Sequence, residues 1–430
     1  MMDRVFFKKI LVLSSGNFIN SILSGIFGIY ITRTLGPEDK GVLTIALSSC
    51  DLVMMLFSLG IPYSAAYYIR SQPGSESFVL SQAYRIMIIC GLSSLVLVLS
   101  GKGIFSSLFL GGRVVDSAMA ALLILTVIVN SGNTIIGATL VAQGISDGYV
   151  LSTNIGTLVT VVFTIVLIAA LNQFKLHAVL LGNLTGVLTT MLIMRRFFRM
   201  AHRAGSPMSQ QLKARDFYSY GIQAQIGAIA ALAFKRLDLY IISYFLNPGA
   251  VGYYSVGVGL RDMAMTAARA LAGLAAGDMA DPERQNDGTA GKILKKGIFF
   301  NIVTSLLAFV GAVLIFPYFI PFAYGELFTE SITTSIIIMG SLLPFSIAFL
   351  LGKAIQSKGK PLHQSISNII SAVICSLVVW QFTKRFGITG AATATIIDST
   401  VLAVLSFIFL KASGDWRSRD SQIKFKRISS

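Results

Sequence analysis

The residues best equipped for chemistry in this chain are charges in apolar company. In the run AALAFKRLDLYIISYFLNP, Ala230 to Pro248, Lys235, Arg236 and Asp238 stand among hydrophobic side chains. The next apolar stretch adds Arg261, Asp262 and Arg269. A charge at the centre of a bilayer costs roughly 2.5–3.5 kcal/mol, so in a membrane protein such groups face a partner or a wet cavity. Arg offers a planar fork of donors and Lys a point charge, and both suit phosphate or acidic groups.

Helical spacing sorts these six residues. Lys235 and Asp238, three apart, share a face and are placed to pair, whereas Arg236 points elsewhere. Asp262 and Arg269 share a face but lie about 10 Å apart along the axis, which reads as too far for a direct pair. Arg261 sits about 80° around from Arg269, so both border one cavity. Two readings follow: structural ion pairs between the two stretches, or a cation-lined path. Four cations left in lipid would cost about 12 kcal/mol, comparable to a whole protein's stability, so they are shielded. Asp238 and Asp262 match only two of them, which favours the path.

The elements that position these charges are membrane spans. The chain has 430 residues, 54% of them hydrophobic and only 13% charged, with a mean hydropathy of +0.74. A soluble protein of this size needs many more charges on its surface. The charges are clumped between apolar blocks, the pattern of a polytopic helical membrane protein. Soluble and nucleic-acid-binding classes are excluded despite the net charge of +16. Cys50, Cys90 and Cys375 lie inside apolar blocks, so no disulfide and no metal site is expected. His177, His202 and His363 fall in predicted loops and read as solvated. The amino terminus begins like a signal peptide, but its apolar run continues to about Ile31 without a cleavage site and reads as a first span.

Twelve spans are predicted, at 10–32, 41–68, 83–100, 118–141, 149–171, 177–197, 218–246, 250–276, 295–316, 332–354, 362–382 and 388–411. With the amino terminus inside and cations at span ends counted with the loops they adjoin, the inner loops and tail hold 24 Lys and Arg, the outer loops 7 and the span interiors 4, accounting for all 35. That bias puts both termini in the cytoplasm. The basic run from Arg195 to Arg215 divides six spans from six. The expected organisation is an amino-terminal lobe (1–200), a cytoplasmic linker (201–216), a carboxyl-terminal lobe (217–411) and a basic tail (412–430).

The two halves repeat. A shift of 211 residues places Leu35-Gly36-Pro37 on Leu246-Asn247-Pro248, Gly41 on Gly252 and Asp51 on Asp262. Six spans per half make the repeat parallel, one of the two repeat types of secondary transporters. An alternative segmentation makes 235–238 a loop between spans 219–234 and 239–260. It would break the register with Pro37, so the charges are kept inside a span. The same shift maps Lys235, Arg236, Arg261 and Arg269 onto Ser24, Gly25, Cys50 and Ser58. A cavity between the halves is therefore expected to be cationic on the carboxyl-terminal side and mostly neutral on the other. There Asn17, Asn20 and Ser24 make a polar stripe, which also reads as a helix-packing seam.

Arg33-Thr-Leu35-Gly36-Pro37-Glu38-Asp-Lys-Gly41 resembles the R-x-LGPE-x-x-G signature of the polysaccharide-exporting branch of the MOP superfamily, the Wzx-type flippases. Arg236-Leu-Asp238, then Phe245-Leu-x-Pro248-x-Val251-Gly252-Tyr253, is similar to that family's second-half motif. Gln356-x-x-Gly359-Lys360-Pro361 is similar to its loop before span eleven. The resemblance covers essentially the whole chain. It implies an all-α, MATE-like fold of two six-helix lobes in a V around a central cavity. It further implies alternating access and a lipid-linked oligosaccharide as cargo, usually on undecaprenyl diphosphate, moved across a bacterial inner membrane in O-antigen and lipopolysaccharide synthesis. Membrane lipids and other polysaccharide-assembly proteins are the implied partners.

On that reading Lys235, Arg236, Arg261, Arg269, Asn17, Asn20 and Ser24 are the substrate-binding candidates. Asp51, Asp238, Asp262 and Asp398 are candidates for coupling to a proton or sodium gradient, Asp51 and Asp262 foremost because they occupy equivalent places. Asp262 reads equally as the structural partner of a neighbouring cation. No cofactor and no catalytic residue is expected. A multidrug exporter of the same superfamily would favour an acidic cavity, and span one carries no carboxylate between Lys9 and Glu38. A membrane glycan polymerase or glycosyltransferase would need a larger catalytic loop or a D-x-D pair, and no phosphate-binding G-x-x-x-x-G-K is present.

Overall fold

The computed structural model describes residues 4–71, 76–100, 116–171, 174–202, 214–280, 289–358 and 360–412, helical almost throughout and without a strand among them. The helices are α1 (Arg4–Phe57), α2 (Ile61–Ser71), α3 (Glu76–Ser100), α4 (Ser117–Ala142), α5 (Ser146–Ala170) and α6 (Lys175–His202). They continue with α7 (Ala214–Phe245), α8 (Pro248–Ala280), α9 (Thr289–Tyr324), α10 (Ser331–Gly340), α11 (Leu342–Ser357) and α12 (Pro361–Ala412).

Eight stretches among the described residues are long and apolar enough to cross a membrane. Two of them, of 42 and 51 residues, are too long for one crossing. Each is broken at a glycine in a backbone conformation that other residues rarely adopt, Gly36 (φ 76°) and Gly387 (φ 61°). Counting α1 and α12 as two helices each, and adding the charge-bearing α7 and α8, recovers the twelve expected spans. Span two differs in detail, because its helix breaks at Ser58–Gly60, where Leu59 also takes a positive φ. The charges of 235–238 lie inside the unbroken α7, and the turn falls at Asn247, immediately before Pro248 opens α8.

The chain packs as two compact units, Met1–Gly252 and Tyr253–Ser430. These do not coincide with the halves of the repeat, because α7 packs with α1 and α2 along its length. The Ser64 hydroxyl donates to the Phe217 carbonyl at 2.7 Å, and Ser49 shares a hydrogen bond with the Tyr240 hydroxyl at 3.1 Å. Where span two breaks, the Met55 carbonyl accepts from the Gln225 side-chain amide, which also donates to the Ser58 hydroxyl at 3.1 Å. No water reaches such a carbonyl inside a bilayer, so a side chain from a neighbouring helix must satisfy it. Most of the linker (203–213) and nearly all of the basic tail (413–430) lie outside the described residues.

The repeated turns meet directly within the first unit. A side chain on Gly41 would strike the Pro248 carbonyl, and one on Gly252 would strike the Pro37 carbonyl. Pro37 and Pro248, like Gly41 and Gly252, are equivalent in the repeat, so each turn lays its proline on the other's glycine. Small residues also bring α5 and α6 together, where Gly156, Gly182 and Gly186 pack against Thr190, Thr164 and Thr160. In the second unit Ala272 and Ala275 of α8 pack with Leu350, Leu351 and Ala354 of α11. There the Asn301 amide of α9 donates to the Ser346 carbonyl at 3.2 Å.

All three expected loop histidines lie in helices instead. His363 packs edge-on to Phe409, His177 pairs with Asp116 at 2.7 Å, and His202, whose side chain is not among those described, ends α6. Asp116 caps α4 by accepting from the Met119 amide at 2.6 Å. That hydrogen bond, with the one from His177, holds its carboxyl below the usual range. Cys90 is buried, and Cys50 and Cys375 are half-buried.

Two outcomes are expected. Gly41→Ala drives a methyl group into an unyielding backbone and lowers stability by about 1–3 kcal/mol, read as a fall in thermal midpoint in detergent. Asp116→Ala removes a cap worth about 1 kcal/mol. Because the folded carboxyl titrates below its unfolded value, that contribution is complete above the ordinary carboxylate range and is lost as pH falls through the folded pKa. The wild-type and Asp116→Ala midpoints should therefore converge in acid.

Candidate functional site

In the second unit, α8 places Arg261 and Asp262 one residue apart and Arg269 two turns on. Arg261 is only 9% exposed. Its guanidinium lies 5.3 Å from the centre of the Phe345 ring, points one nitrogen at the Ser341 hydroxyl (3.4 Å) and another at the Asp262 carboxylate (3.4 Å). The Arg261 Nε has no partner among the described residues. Arg269 reaches the same Asp262 oxygen at 3.3 Å, although a direct pair was not expected at that spacing. The correction has a simple cause. Helical side chains lean toward the amino terminus, so the long arm of Arg269 reaches back along the face that carries Asp262. Arg269 and Asp262 remain about 40% exposed (41% and 42%).

On α8 these charges form a cluster within one helix. One carboxylate serves two guanidinium groups, leaving a net positive charge that is half open. Phe345 and Ser341, at the α10–α11 junction, complete it. Neither stands out in the sequence, because an aromatic and a hydroxyl in an apolar span carry no signal of a cation above them.

In the first unit, Arg236 and Asp51 are near enough to act on each other electrostatically. Tyr240, one turn after Arg236, joins this neighbourhood through its bond to Ser49. Asp238 accepts from the Leu239 amide at 2.8 Å, and the Lys235 side chain lies outside the described residues, so the expected Lys235–Asp238 pair cannot be placed. Asp398 sits elsewhere, in the second unit, where the Ser371 hydroxyl donates to its carboxylate at 2.7 Å and ties the two halves of α12 together.

The stripe on α1 divides. Asn17 and Ser24 are exposed, whereas Asn20 accepts from Thr157 of α5 at 2.7 Å and from Ser24 at 3.4 Å. Asn20 also lines a cavity of about 700 Å³ within the first unit, shared with α2, α4, α5 and α6. Asn130 and Asn133 of α4 contribute to its wall. Their spacing of three in an apolar span was a legible signal that the charges overshadowed.

The polysaccharide biosynthesis protein family matches residues 6–275, well over half of the chain. The chain belongs to that family. A relative in Haloferax volcanii, the probable low-salt glycan biosynthesis flippase Agl15, is 23% identical over 218 residues, 50% of this chain and 46% of the relative. The chain thus spans just under half of that relative's length. A multidrug resistance MATE family transporter of the MOP superfamily in its inward-facing conformation is similar at a TM-score of 0.73 and 13% identity, over 94% of this chain and 97% of the other. A MOP superfamily transporter from Pyrococcus furiosus, noted for the reversed polarity of its binding pocket, is similar at 0.66 and 14%, over 94% and 95%. At these identities the likeness concerns the fold. The chain is therefore a multi-pass membrane protein with the all-α MATE-like fold that its motifs implied. The Haloferax relative is a probable flippase and the two similar structures are transporters.

Asp262→Ala strands the buried Arg261 guanidinium and should lower stability by about 3 kcal/mol. Arg269→Ala, which removes only the more exposed partner, should leave stability within about 1 kcal/mol. Thermal midpoints of the two purified variants check the difference.

Proposed function

We propose that this protein is a flippase for a lipid-linked oligosaccharide. The observation that carries the proposal is the α8 cluster in a member of this family: two guanidinium groups share one carboxylate, and Arg269 is half exposed. A diphosphate offers the acceptor oxygens and negative charge that such a cluster lacks, and Arg binds phosphate through paired donors. Arg261, packed on Phe345 and bonded to Ser341, is the fixed member, and Arg269 is the one able to exchange Asp262 for cargo. A cationic drug would meet net repulsion at this cluster.

The carrier is undecaprenyl diphosphate, whose tail remains in lipid while the headgroup crosses. Transport runs by alternating access in a bacterial inner membrane, with both termini cytoplasmic, as the bias in basic residues supports. It supplies O-antigen or lipopolysaccharide synthesis beside other polysaccharide-assembly proteins. Asp51 with Arg236, and Asp262 with its two arginines, are the pairs through which a proton or sodium gradient acts, since neutralising either carboxylate frees a cation.

Deleting the gene should leave the lipid-linked glycan in the inner leaflet, measured by its accessibility at each face of the membrane. Normal outer-leaflet delivery in a strain without a redundant carrier would sink the proposal. Arg269→Ala should slow delivery at least tenfold at unchanged membrane levels. Asp51→Asn should remove the response of transport to collapse of the ion gradient.

A further inference from the structure

The cavity within the first unit has a chemistry unlike that of the α8 cluster. Among the described residues, no carboxylate, ammonium or guanidinium lines it. Its polar wall consists of side-chain amides and hydroxyls, among them Asn20, Asn130, Asn133 and Thr153, and two tyrosines, Tyr63 and Tyr149, border it. An amide both donates and accepts, which matches a ligand whose every polar group does the same. Asn133 is 7% exposed, and its amide nitrogen is anchored on the Val187 carbonyl at 2.9 Å. Its carbonyl oxygen is buried without a partner among the described residues. A buried acceptor left unsatisfied costs about 1–3 kcal/mol, so a donor from a guest is favoured there.

Thr153 and Thr157 spend their hydroxyl protons on α5 carbonyls and on Asn20, respectively, and so present oxygen lone pairs as further acceptors. A lipid chain would leave these groups unpaired, and an inorganic cation would find no carboxylate. A volume of about 700 Å³ falls in the range of small-molecule sites.

We infer that this cavity is a subsite for an uncharged sugar ring, its hydroxyls taken by Asn130, Asn133 and Thr153 and its C–H face by Tyr63 or Tyr149. The identification of that sugar as part of the transported glycan rests on the flippase reading; the match to a neutral saccharide rests on the cavity. The cavity would then hold the glycan by neutral hydrogen bonds from α4 and α5, a chemistry different from that of the α8 charges.

The full chain in lipid nanodiscs is tested with three probes: a polyprenyl diphosphate bearing a neutral disaccharide, the same carrier without sugar, and the free disaccharide. The sugar should raise carrier affinity about tenfold in the wild type. Asn130→Ala and Thr153→Val should each remove most of that increment and leave the bare carrier unaffected, whereas Arg269→Ala should weaken both carriers alike. Asn133→Leu is a harsher variant because it also cuts the tie to Val187, so the two milder ones decide. Equal affinity for the two carriers in the wild type, or an increment that survives in both mild variants, overturns the subsite. Free disaccharide that binds and is lost in Asn130→Ala upholds the subsite even if leaflet delivery proves normal, an outcome that would remove only the flippase reading.

Discussion

Inside a bilayer no water completes a hydrogen bond or screens a charge, and the structure of this protein follows from that constraint. Backbone groups are closed within helices, so the described chain is helical almost throughout. Where a helix breaks, a side chain must replace the lost partner. Gln225 does so for the Met55 carbonyl at the break in span two. Where a charge is unavoidable, an opposite one is supplied, as Asp262 is for Arg261 and Arg269. Hydrophobicity does little to hold spans together in lipid, so close packing takes over. The glycine and threonine seam between α5 and α6 meets that demand, as do the two turns that lay each proline on the other's glycine.

The same constraint separates two kinds of polar site. Charges concentrate on α7 and α8, whereas the cavity of the first unit is polar without being charged. The first kind attracts an anion over a distance and discriminates little beyond its sign. The second acts only at contact and discriminates by the direction of donors and acceptors.

Duplication explains why the two kinds sit where they do. Asp51 and Asp262 are equivalent, and each has an arginine within electrostatic reach, yet the arginines are not equivalent to each other. Asp51 feels Arg236 of α7, while Asp262 pairs with Arg261 and Arg269 of its own helix. An inherited carboxylate has thus acquired different cations in each half. The first half, lacking those cations, retains the neutral polar surface to which Asn20, Asn130 and Asn133 belong.

The sequence by itself determined the number of spans, the repeat and the charged helices, because each depends on composition over about 20 residues or on matching between distant segments. It also placed Lys235–Asp238 inside a helix, since Pro248 had to match Pro37. Tertiary structure decided what each charge touches. Axial rise alone put Asp262 and Arg269 out of reach, whereas the backward lean of a long side chain brought them to 3.3 Å. Arg236 looked clear of any partner until α7 packed against α1, and α7 itself joined the first unit rather than the half that its sequence belongs to. Asn133 looked like one polar residue among many until folding buried its oxygen without a donor. A pattern along one chain reports which face a residue occupies; only packing reports what stands opposite that face.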